Sequence, residues 1–83
     1  MGKIEKLLAS LRANPANRRY AEFERIVRAF GGEIRTGKGS HFAVVFRDGQ
    51  RIVFVKPHPS TKAVHPRTIK ALLMAIEEME EEE

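Results

Sequence analysis

The sequence predicts a small α+β domain: a three-stranded antiparallel sheet with helices on one face and an extra helix at the N-terminus. Three observations predict it. Apolar residues recur at helical spacing in three segments, as amphipathic helices require. Two runs rich in Val, Ile and Phe flank Asp48-Gly49, the strongest short-range hairpin signal. A chain of 83 residues can also bury only one thin core, so short helices and strands must share it as one pair of layers.

Taken in order, Ile4, Leu7, Leu8 and Leu11 form the apolar stripe of a first helix over residues 3–13. Asn14-Pro15 ends it, because the residue before a proline is pushed out of the α region. Asn17 is suited to cap a second helix, whose face is Tyr20, Phe23, Ile26, Val27 and Phe30. Gly31-Gly32 stops that helix. Arg18, Arg19, Arg25 and Arg28 decorate its remaining surface, either as a phosphate-binding stripe or as a plain solvated face. Glu33-Ile34-Arg35 reads as a short first strand leading through Thr36 into the hairpin. After Lys56, Pro57 and Pro59 stiffen a loop, and Pro66 suits the first turn of a third helix. Its buried stripe is Ile69, Leu72, Leu73, Ile76 and Met79. The glutamates beyond are like charges at a helix C-terminus, which the macrodipole opposes, so that end is expected to fray. The whole reads as a single domain over 1–83, with the extra helix at 3–13, a core at 15–76 and an acidic tail at 77–83.

The hairpin admits two registers. A two-residue turn at Asp48-Gly49 places Phe42, Val44, Phe46, Val53 and Val55 on one face, and His41, Ala43, Val45, Ile52, Phe54 and Lys56 on the other. A three-residue turn instead joins Ile52 and Phe54 to the core and exposes Val53 and Val55. Either way the second face is unusually apolar for a sheet that meets water. That suggests a partner, a second copy or a dedicated binding protein, unless the first helix folds over it.

Composition narrows the chemistry. There are no cysteines, which excludes disulfides and thiolate metal sites. No apolar run suits a membrane span and no signal-peptide pattern opens the chain, so a soluble cytoplasmic protein is expected. The net charge of +4 hides an asymmetry: residues 1–76 hold all fifteen Lys and Arg against five acids, a charge of +10. A body that basic points to a polyanion, most simply nucleic acid.

Two glycines bracket Lys38 and deliver Ser40 and His41 to the mouth of the first hairpin strand. With an unperturbed pKa near ~6.5, a histidine there can accept and donate protons at neutral pH. Lys38, Arg35 and Lys56 are placed to hold a phosphate against it, and the Gly-Lys-Gly-Ser segment to offer backbone N–H donors. RNA brings its own nucleophile, the 2′-hydroxyl, so one histidine with cationic support suffices to cleave it without metal. A zinc site from His41, His58 and His65 has no carboxylate spaced with it and is not expected. No nucleotide loop, Ser/His/Asp set or paired carboxylates are present.

The string Glu33 to Lys38, Gly39-Ser40-His41, a strand, the Asp48-Gly49 turn, a second strand, a Pro/His loop and a helix resembles the HicA family of toxins from toxin–antitoxin modules. The resemblance covers about residues 15–76, including the Asn-Pro-Ala-Asn lead-in. It implies an α-β-β-β-α layer similar to double-stranded-RNA-binding domains, and a ribosome-independent mRNA endoribonuclease with His41 as catalytic residue and no cofactor. Gly39 would position the strand, and His58 is an accessory candidate from the Pro/His loop. A HicB-type antitoxin would cover the outer sheet face. Phe42 and Ala43 are less polar than in many members, and the acidic tail is not a general family feature. The alternative from another class is a non-catalytic RNA-binding or regulatory module on the same basic surface.

Overall fold

The length of the hairpin turn decides which face of the sheet meets the helices. A computed structural model describes residues 2–37, 39, 41–55 and 63–81. Its elements are α1 (Lys3–Ala13), β1 (Arg18–Arg19), α2 (Tyr20–Ala29), β2 (Glu33–Thr36), β3 (His41–Val45), β4 (Arg51–Val55), β5 (Ala63–Val64) and α3 (Pro66–Glu81). Strands β2, β3 and β4 form an antiparallel sheet with β3 in the centre, and β1 pairs with β5 as a separate ribbon. The α+β architecture is the predicted one. The ribbon was not foreseen, since strands of two residues carry no readable period.

Phe46 and Gln50 close the hairpin. The Phe46 N–H donates to Gln50 O at 2.9 Å and the Gly49 N–H to Phe46 O at 3.1 Å. The turn is therefore the three-residue form, Arg47-Asp48-Gly49, with Gly49 at φ +92°, where a side chain would be strained. This register pairs Phe42 with Phe54, Val44 with Ile52 and Val45 with Arg51. Val44, Phe46, Ile52 and Phe54 are buried, whereas Val53 and Val55 stay 63% and 56% exposed. The two-residue alternative fails for a physical reason: it would turn Arg51 onto the core face.

All three helices share one layer against the inner sheet face. Phe23, Ile26 and Val27 of α2 and Ile69, Leu72 and Ile76 of α3 are fully buried in one cluster with Val44 and Phe54. Phe23 meets Phe54 edge to face at 5.0 Å between ring centroids, a favoured aromatic geometry. Helix α1 adds Leu8 and Leu11 to the same cluster and packs on α2 and α3. It does not fold over the other face of the sheet.

Two local readings are corrected. Asn17 does not cap α2. It sits at φ +58°, the chain first spends Arg18-Arg19 on the β5 pairing, and Glu22 Oε1 accepts from the Arg19 N–H at 2.9 Å as the helix opens. Arg18 belongs to no surface stripe. Its Nη2 donates to Ser10 O and Ser10 Oγ, both at 2.7 Å, and its Nε to Asn14 O at 2.7 Å, tying the end of α1 to the start of α2. Helix α3 reaches Glu81 and packs Met79 against the core, the end of the apolar stripe read from the sequence. Arg12 also reaches Glu80 at 3.4 Å, an exposed pair that adds little.

Candidate active site

The helices lie on one side of the sheet, and among the described residues no helix covers the other face. The strand registers set its contents as rows: Glu33, Val45 and Arg51; Arg35, Ala43 and Val53; Gly37, His41 and Val55. Val45, Ala43, Val53 and Val55 share it with Arg35, Arg51, His41 and the acid Glu33. The second face is thus apolar, as expected, but its aliphatic centre is framed by arginines.

His41 opens β3, the central strand, and is exposed. Its backbone is fixed on both sides. It pairs with Val55 of β4, and its carbonyl accepts from the Gly37 N–H at 2.8 Å. Gly37 must be glycine for this approach, since a Cβ there would stand 2.9 Å from the His41 carbonyl oxygen, closer than real side chains come. Gly39 follows at φ +61°, so the turn residue that the sequence singled out does adopt the left-handed region. Among the described residues the imidazole makes no side-chain hydrogen bond.

Arg35 and Val53 are the diagonal neighbours of His41 across the two strand pairs, roughly 7–8 Å away by sheet geometry and within reach of a long side chain. His41, Arg35, Arg51 and Val53 line one shallow concavity floored by buried Ala43. No acid lines it among the described residues, although Glu33 lies 3.6 Å from Arg35. That pair is exposed and solvent-screened, so Arg35 retains most of its pull on an anion. The arrangement can hold an anionic group between two guanidinium groups and present one proton carrier to it.

Of the predicted site residues, the structure brings His41 and Arg35 to this concavity, while Gly39 stays in the turn before β3. Lys38, Ser40, Lys56 and His58 lie outside the described residues. Arg51 was missed. A signal for it existed, since only the three-residue turn keeps this arginine out of the core, and that turn also delivers it to the outer face. His65 has another duty: its Nδ1 accepts from the Arg67 N–H at 3.1 Å, capping α3. Among the described residues no group of His, Asp and Glu could hold a metal ion. No helix among them is long and apolar enough to cross a membrane.

A family model described as "HicA toxin of bacterial toxin-antitoxin" matches residues 20–77, from the start of α2 into the second half of α3. No curated protein and no solved structure matches the chain.

Proposed function

The chain belongs to the HicA toxin family of bacterial toxin–antitoxin systems, and from that premise we propose that it is a metal-independent endoribonuclease acting on mRNA through His41. One observation carries the reading. An exposed histidine is held on the central strand of a face that no described helix covers, with Arg35 and Arg51 in the same concavity. His41 takes the proton from the 2′-hydroxyl, the 2′-oxygen attacks phosphorus, and the P–O5′ bond breaks. The proton then returns to the departing 5′-oxygen, leaving a 2′,3′-cyclic phosphate and a 5′-hydroxyl. Arg35 and Arg51, with Lys38 from the adjoining turn, offset the charge that builds on the phosphoryl oxygens. Ser40 and Lys56 flank the same strand ends in sequence and are assigned to phosphate binding, with His58 as an accessory group.

The inhibitor of such a toxin must cover this face. A HicB-type antitoxin seated on Val53 and Val55 would bury their exposed side chains and block His41 at once. A second copy of the chain is the other candidate for that surface.

Purified protein incubated with mRNA in EDTA should cut it and leave 2′,3′-cyclic phosphate ends. Intact RNA under those conditions would overturn the nuclease reading. One observation favours a second reading: no described side chain orients the His41 ring, as a tuned acid–base pair would require. A non-catalytic RNA-binding module would retain salt-dependent binding and leave the RNA uncut.

A further inference from the structure

Beyond the His41 concavity lies a second one, along the free edge of β4, where the strand has no partner among the described residues. It is lined by Val53 and Val55 of β4 and by His65, Arg67 and Thr68 at the start of α3. Val53 lines both concavities, so the two adjoin at β4. No acid lines either one among the described residues. Arg67 is exposed and, among those residues, joins no ion pair.

We propose that the RNA strand continues from the scissile phosphate at His41 across Val53 and Val55, and sets the backbone of a flanking nucleotide against Arg67. This rests on the ribonuclease reading and extends its site by one phosphate contact. Charge selects the occupant. A polyanion meets Arg35, Arg51 and Arg67 in succession, with aliphatic side chains between them for the base or sugar of the crossing nucleotide. A second copy paired edge to edge on β4 would be isologous. It would bring two acid-free linings, each carrying Arg67, to one seam, which like charge opposes.

The test uses the full chain and two oligoribonucleotides carrying a 2′-deoxy sugar at the cleavage position, so that neither is cut. One is long enough to reach Arg67; the other stops at the nucleotides beside His41. Affinity is measured by fluorescence anisotropy between 50 and 200 mM salt, a range over which phosphate contacts register strongly. Arg67→Ala should weaken the long probe about fivefold to tenfold and reduce its salt slope by about 0.7, the share of one phosphate on a single strand. Arg67→Lys should restore much of both, and the short probe should not distinguish the variants. Equal affinity and slope on the long probe would overturn the proposal. So would a wild-type dimer, seen by sedimentation, that Arg67→Ala dissociates, since a second copy would then occupy the edge. Cleavage of unmodified RNA is scored separately. Cut RNA with no Arg67 effect removes the track alone, whereas an Arg67 effect on uncut RNA removes the nuclease and leaves the track.

Discussion

The two faces of the sheet are built from alternate residues of the same strands, yet they carry different obligations. Inwards, Val44, Phe46, Ile52 and Phe54 are buried against three helices, and each is held by many neighbours. Outwards, His41, Arg35, Arg51, Val53 and Val55 touch water, and their contribution to stability is small. The inner face explains why the chain folds. The outer face explains nothing about folding, and that is the reason to seek its purpose in binding and chemistry. A surface that leaves two valines more than half exposed beside exposed arginines and a histidine is suited to docking.

Substitutions can test this division, beginning with the strongest. Phe54→Ala should remove the ring that Phe23, Phe42 and Tyr20 all meet. The loss should be about 3–5 kcal/mol in chemical denaturation, enough to threaten a domain of this size. A value below about 1 kcal/mol would mean the inner face is not the core. Gly37→Ala sits where the two obligations meet. Its new Cβ would press on the His41 carbonyl at 2.9 Å, and about 1–3 kcal/mol should be lost as the β2–β3 connection shifts. RNA cleavage should fall more steeply than the melting temperature suggests; an unchanged melting curve with full activity would contradict the close approach.

His65→Ala removes the imidazole cap of α3 and should cost about 0.5–2 kcal/mol. Its stability loss should be matched neither by altered metal content nor by altered response to EDTA, which a zinc role would require. Val53→Thr should be smallest in stability, within about 0.5 kcal/mol. It should nevertheless weaken capture of a HicB-type antitoxin in a binding titration. If it destabilised the fold strongly, the outer face would be a hidden core rather than a docking surface.

Much of this was legible from side-chain spacing. The stripes Ile4 to Leu11 and Ile69 to Met79 report their helices directly, and Asp48-Gly49 marks the hairpin. Register was harder, because Ile52-Val53-Phe54-Val55 is apolar on both parities and hydrophobicity alone cannot choose between them. Arg51 breaks that tie, since a guanidinium does not enter a small core unpaired. The start of α2 was misplaced for a different reason. Asn17 is a good cap in isolation, but the pairing of Arg18 with Val64 and of Arg19 with Ala63 is a long-range contact that no local rule sees. The Arg18 staple to Ser10 is likewise tertiary. At the site, Gly37 and His41 were visible as a glycine-rich entry to a strand, whereas their proximity to Arg51 follows only once the turn length is known.

The most direct test sets wild type beside His41→Ala in one preparation, measuring mRNA cleavage in EDTA and thermal unfolding together. The ring lies outside the core, so the melting temperatures should coincide. Cleavage should fall about 10²–10⁴-fold, the usual share of a lost acid–base group. Equal cleavage by a folded His41→Ala protein would contradict the account at its centre.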